Sequence, residues 1–132
     1  MNKQGDIFLA IRKTSYAKTR IVPGEGRIFI NGRDLNSMDN ILFKYEVMEP
    51  LFIAGDVAKK YNFLVESRGG GNFSRSRAIR SSIAKALVSL DSSLKEKFVK
   101  IDRTLLVDDR RITEPQKPYR SAARARKQTS YR

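Results

Sequence analysis

Residues 61–90 read YNFLVESRGGGNFSRSRAIRSSIAKALVSL, and the fold is decided in this stretch. Tyr61-Asn62-Phe63-Leu64-Val65-Glu66-Ser67 reads as a β-strand. It runs straight into Arg68-Gly69-Gly70-Gly71, and the best helix in the chain follows from Phe73 to Leu90. Ile79, Ile83, Ala86, Leu87 and Leu90 share one face of that helix, while Arg77, Arg80 and Lys85 point elsewhere.

On the N-terminal side, Ile7, Leu9 and Ile11 alternate with Phe8, Ala10 and Arg12, and Ile21 and Val22 close a second run after residues 16–20. Both read as strands. Pro23-Gly24-Glu25-Gly26 supplies a turn, Arg27-Ile28-Phe29-Ile30-Asn31 returns as a third strand, and Asn31-Gly32 is the next turn signal. A three-strand meander is the economical reading. Ser37 or Asp39 can cap a helix running to about Glu49, with Ile41, Leu42, Tyr45 and Met48 on one face and Pro50 as its stop. Its length suits a crossover. On the C-terminal side a short helix, Ser93 to Ile101, places Leu94, Phe98 and Ile101 at i, i+4, i+7, and Leu105-Leu106-Val107 docks the chain. The expected organisation is one globular domain, residues 1–109, and a basic tail, residues 110–132.

The chain has 132 residues, with 27 Lys and Arg against 14 Asp and Glu, a formal charge of +13. Such a balance belongs to a protein that sits on a polyanion, most often nucleic acid. Cysteine and histidine are both absent, which removes zinc fingers, thiol catalysis, imidazole chemistry and disulfides. No metal or cofactor is called for. The N-terminal apolar run is too short for a signal peptide and no run approaches a membrane span, so a soluble cytoplasmic protein is expected.

The tail, RRITEPQKPYRSAARARKQTSYR, carries Arg110, Arg111, Lys117, Arg120, Arg124, Arg126, Lys127 and Arg132 against the single acid Glu114. Its apolar content is too thin to offset a backbone ordering cost of about 1–2 kcal/mol per residue. Its order is expected to come from a polyanionic partner. Tyr119 and Tyr131 sit among these cations, where a base can stack on each ring; as loose surface tyrosines they would need no partner.

In the body, the triple glycine is the one place where backbone amides can converge on a phosphate, since glycine permits positive φ and a helix N-terminus is partly positive. It is neither a GxxxxGK[ST] loop nor a GxGxxG fingerprint. A plain tight turn is the ordinary alternative. Arg75, Arg77 and Arg80 follow within the first turns, where the macrodipole favours acids, and an anionic partner accounts for them. Solvated surface charge is the bland account. Arg12, Lys13, Lys18 and Arg20 cluster around the first β-turn, although Lys18 and Arg20 also fit the wet face of a half-buried sheet. Asp108-Asp109 is the only paired carboxylate; without a base or metal ligands beside it, it makes no active site and can screen the tail.

These residues resemble the small-subunit ribosomal protein nine family across almost the whole chain. The resemblance runs through residues 12–18, Val22-Pro23-Gly24-Glu25-Gly26 and Ile30-Asn31-Gly32-Arg33, then Gly69-Gly70-Gly71 with Ala78-Ile79-Arg80 and residues 83–87. The ending 123–132 resembles the archaeal and eukaryotic branch. The chain departs from the pattern in two places. Arg75 stands where the signature usually has Gln, which makes a phosphate contact easier, and Pro118-Tyr119-Arg120 stands where relatives are often glycine-rich.

The resemblance implies an α/β fold built as an α+β two-layer, a mixed four-stranded sheet with helices on one face, like the second domain of ribosomal protein five. It also implies a left-handed βαβ crossover and an extended basic C-terminal tail. Further implications are a ribosomal location, binding to small-subunit rRNA in the head, neighbouring head proteins, and a tail whose tip approaches the P-site tRNA anticodon stem-loop. On this chain the rRNA-facing residues become Arg12, Lys13, Lys18, Arg20, Gly69, Gly70, Gly71, Arg75, Arg77, Arg80, Arg110, Arg111, Lys117, Arg120 and Arg124. The tRNA-facing residues become Arg126, Lys127, Tyr131 and Arg132.

Two other classes compete. A small phosphate-binding enzyme of the same fold could hold a nucleotide at the glycine turn, but the chain is short and offers no credible base or metal cage. ATP binding that survives high salt would favour it. A free-standing protein that binds nucleic acid or an anionic membrane through the tail would be lost from small subunits on a stringent salt wash.

Overall fold

The computed structural model describes residues 5–125. A five-stranded mixed sheet is covered on one face by three α-helices. The strands are β1 (Phe8–Arg12), β2 (Ser15–Pro23), β3 (Ile28–Ile30), β4 (Arg33–Asp34) and β5 (Tyr61–Arg68), in the order β1-β2-β5-β3-β4. The helices are α1 (Ile41–Ala54), α2 (Asn72–Leu90) and α3 (Leu94–Ile101).

The expected meander does not form. β5 inserts between β2 and β3, antiparallel to β2 from Tyr16↔Arg68 to Pro23↔Tyr61 and parallel to β3. The physical reason lies in the Pro23–Gly26 link, whose amides are satisfied by the start of β5 and not by a hairpin partner. Gly24 donates to the Lys60 carbonyl at 3.1 Å, and the Asn62 Oδ1 accepts from the amides of Glu25 and Arg27 at 2.9 and 3.0 Å. The link thus crosses the end of β5 and sets β3 on its far side. A fifth strand, β4, extends the four that were expected. Asn31 and Gly32 both take positive φ, 51° and 82°, the twist that a two-residue hairpin turn requires. Asn31 also brackets Ser67, accepting from its amide and donating to its carbonyl, each at 3.0 Å.

Helix α1 departs from expectation in its cap, its end and its face. Asn40, not Ser37 or Asp39, caps it, accepting from the Phe43 amide at 3.2 Å. It passes through Pro50 and ends at Ala54, although an interior proline costs about 3 kcal/mol. Pro50 and Ala54 are buried, and that burial offsets the penalty. The buried face is Phe43, Val47, Pro50 and Ala54, while Ile41, Leu42 and Tyr45 are exposed. Apolar residues lie on both sides of this helix, so periodicity alone does not select the inner one.

The core lies between the sheet and α2. Ile21, Phe63 and Val65 on the sheet meet Ile79, Ile83 and Leu87 on α2. Small residues on α2, Ala78, Ala84 and Ala86, are fully buried and let it approach β1 and β2 closely. One polar pair is sealed there: Thr19 and Ser82 share a 2.7 Å hydrogen bond, and Ser82 donates to the Ile79 carbonyl. Leu94 and Phe98 seat α3, and Leu105 closes the end, as the apolar spacing predicts; Ile101 remains exposed.

Candidate nucleic-acid interface

The three glycines divide into two roles. Gly69 and Gly70 have φ of 79° and 63°, and a Cβ on them would lie 2.4 Å from the Thr14 carbonyl oxygen and 2.1 Å from the Ser15 Oγ. Ser15 Oγ in turn donates to the Gly69 carbonyl at 2.8 Å. These two glycines therefore seat the strand-to-helix turn on the β1–β2 hairpin, the tight-turn alternative. Gly71 has φ of −89° and open space around it. It caps α2 without a side-chain hydrogen bond, and the first turn holds no acid, so the helix begins with free amides and its positive dipole end.

Of the three arginines that follow, only Arg75 has a side chain with no hydrogen bond or ion pair among the described residues. Its Nε is buried without a partner. With Asn31, Arg33 and Asn72 it lines a groove of about 430 Å³ between the β3–β4 hairpin and the start of α2. Lys13, at φ 53° in the β1–β2 turn, directly precedes Thr14 and Ser15, on which Gly69 and Gly70 pack. Arg77 instead meets Glu46 at 3.2 Å and lies over the Phe73 ring, 4.6 Å from its centroid.

Arg80, expected to point away from the core, is only 8% exposed. Glu49 of α1 at 3.0 Å and Asp102 beyond α3 at 2.6 Å neutralise it, which makes its burial tolerable. Burial pulls the Asp102 carboxyl upward, but hydrogen bonds from Thr104 and Arg80 hold it below its ordinary value. Lys85 is likewise engaged, with Asp108 at 2.8 Å and the Leu9 carbonyl at 2.9 Å.

The sheet face away from the helices is open, and Lys18 and Arg20 stand on it, as strand alternation predicts. Lys18 lies 5.8 Å from the Tyr16 ring centroid. Arg68, paired across from Tyr16, shares that face and lines a shallow groove with Lys18, Arg20 and Phe29. Neither Arg68 nor Arg33 was among the expected site residues. The period of two along β5 marks Arg68 as a neighbour of Leu64 and Glu66, and the Asn31-Gly32 turn marks Arg33 as the first residue of a return strand.

The family model for ribosomal protein S9/S16 matches residues 10–132. The chain belongs to that family. Its members are structural, non-enzymatic proteins. The small ribosomal subunit protein uS9 of Methanococcus vannielii is 40% identical over 125 residues, covering 92% of this chain and 93% of the relative. The protein of the same name from Desulfurococcus amylolyticus is 42% identical over 123 residues, 92% of this chain and 88% of the relative.

In this S9/S16 protein the tail leaves the body at a built junction. Asp109 pairs with Arg12 and with Arg111, and residues 12 and 109 form an isolated parallel bridge. Hydrogen bonds from the Arg111 side chain and amide, with the Arg12 charge behind them, hold the Asp109 carboxyl far below its ordinary range. Farther on, residues 114–124 form a loop. Arg124 binds Glu114 at 2.5 to 3.0 Å, and the Gln116 amide donates to the carbonyls of Arg120 and Ser121. The lone acid of the tail thus folds it back. Arg110, Lys117 and Arg120 are exposed, while Arg126, Lys127, Tyr131 and Arg132 lie outside the described residues. Among the described residues no group of acids gathers to hold a metal, and no helix is long and apolar enough to cross a membrane.

Proposed function

We propose that this chain, a structural constituent of the small ribosomal subunit, holds the rRNA of the head with its body and carries its tail to the anticodon stem-loop of P-site tRNA. The observation that carries the first half is how the cations sort. On α2, Arg77, Arg80 and Lys85 are paired with carboxylates, whereas Lys95, Lys97 and Lys100 of α3 make no ion pair among the described residues. Lys13, Lys18, Arg20, Arg33, Arg68 and Arg75, at the hairpin turn, on the open sheet face and at the start of α2, make no ion pair among the described residues. Six cations without a counter-charge on a chain of charge +13 repel one another, and a phosphate backbone relieves that. Arginine suits the role because its planar fork pairs with phosphate oxygens and stacks on bases.

The second half rests on charge and reach. Pro118 to Arg132, fully extended, spans on the order of 50 Å, against a radius of gyration near 13 Å for a body of this size. A segment of that length can touch what the body cannot. Most of this binding positions the chain and reads no sequence.

The protein should remain on purified small subunits through a stringent salt wash; its loss would defeat the rRNA assignment. Deleting Tyr131-Arg132 should leave that retention intact and speed dissociation of P-site tRNA. Equal tRNA dissociation rates from intact and truncated particles would defeat the tRNA assignment alone.

A further inference from the structure

Helix α1 is apolar on both sides, a pattern that belongs to helices buried all round. Its inner side meets the core, yet Leu42 is 82% exposed and Phe52 66%, with Tyr45 between them. Leu42, Tyr45, Glu49 and Phe52 fall at i, i+3, i+7 and i+10, one stripe along the helix. Phe73 from α2 completes a groove of about 610 Å³ whose lining is mostly apolar. Scattered single apolar residues are normal on a surface, but a contiguous set of this size marks a contact site.

The charges around the groove select its occupant. From Asp34 to Asp56 the chain holds five acids against one cation, Lys44, within a protein of charge +13. The only charged groups lining the groove, among the described residues, are the carboxylates of Glu46 and Glu49. Both oxygens of Glu46 are used, by Arg77 and Ser76. Glu49 meets Arg80 through Oε2, and its Oε1 has no partner among the described residues. A phosphate backbone would meet the two carboxylates here, with the nearest cation, Arg77, already held by Glu46, and it would forfeit its hydration against Leu42 and Phe52.

We infer that this groove docks a segment of a second protein carrying a Lys or Arg between two large apolar side chains, the cation on Glu49 and the apolar groups against Tyr45, Phe52 and Phe73. The inference rests on the small-subunit assignment above and adds to it: one side of the body takes RNA, and the α1 side takes a protein.

The test uses the full chain in small subunits isolated from cells. Tyr45, Phe52 and Phe73 should be oxidised by hydroxyl radicals at least tenfold less in the particle than in the free protein. Photoreactive p-benzoylphenylalanine in place of Phe52 should crosslink a different protein, through a peptide rich in Lys or Arg and apolar residues. The same group in place of Lys18 should crosslink RNA. Both positions are exposed, so neither change disturbs folding. Crosslinks from position 52 to RNA or to a second copy of this chain, or unprotected aromatic rings in particles whose position 18 reaches RNA, would overturn the docking site. Absence of the unmodified chain from small subunits would instead defeat the underlying assignment, and the docking site with it.

Discussion

Arg12, at the end of the edge strand, and Asp109, where the tail begins, are joined twice, by an ion pair and by a parallel backbone bridge. Asp109 also accepts from the Arg111 amide at 2.9 Å and from its guanidinium, so one carboxylate ties the first residues of the tail to β1. Replacing Asp109 with Asn should leave the body folded and free residues 110–112, seen as several-fold faster tryptic cleavage after Arg111. The pH dependence has a definite sign. The Asp109 pKa is depressed from its ordinary value of 3.8, so its contribution is complete above that value and is lost only as pH falls through the depressed one. Cleavage rates compared between pH 6 and 8, after correction for trypsin's own profile, should not move.

The glycine run gives a prediction that separates architecture from ligand contact. Gly69→Ala and Gly70→Ala each force a Cβ into a left-handed backbone and against Thr14 or Ser15, and each should destabilise the free protein by about 2 kcal/mol or more. Gly71→Ala meets open space at ordinary φ and should change stability by less than about 0.5 kcal/mol. Urea unfolding of the three variants measures the difference. Similar losses at all three positions would contradict the division of roles.

Much of the fold is legible in the sequence. The alternation in residues 61–67 gave β5, and Ile79, Ile83 and Leu87 gave the buried face of α2, because period and burial agree there. The sheet order was not legible, since the bonds that route residues 23–27 across β5 come from Asn62, thirty-five or more positions away. The face of α1 is not selected by the sequence because Leu42 and Tyr45 are as apolar as Phe43 and Val47, and nothing among the described residues covers them. Cation clusters mark a candidate site region, but which arginines are spent internally depends on where Glu46, Glu49 and Asp102 arrive. Linear spacing does not carry that.

Arg75 and Arg80, five residues apart, should respond to substitution in opposite ways. Arg80→Met strands the Glu49 and Asp102 carboxylates around a site from which a buried charge has gone, at a cost of about 3 kcal/mol in unfolding. Arg75→Met removes a cation that makes no ion pair, and stability should stay within about 0.5 kcal/mol. Its effect should appear in RNA affinity instead, with a salt dependence shallower by roughly the share of one phosphate contact. A stability loss at Arg75 matching that at Arg80 would place Arg75 among the structural arginines.

Glu114 is the only acid beyond Asp109, and it holds Arg124 in a bidentate pair that closes residues 114–124 into a loop. Arg124 lowers the Glu114 pKa, so the pair persists at neutral pH. For Arg124 to reach a phosphate this pair must open, and both groups are exposed, so salt weakens it. Glu114→Gln removes the competitor and frees the guanidinium. Affinity of the full chain for small-subunit rRNA should rise, most at low salt, where the wild-type pair is strongest. If Arg124 gains a phosphate that the wild type lacks, the slope of log K against log salt should steepen by about 0.7–0.9. An unchanged slope with unchanged affinity would mean that Arg124 meets no phosphate in either form, and that the loop persists on the RNA.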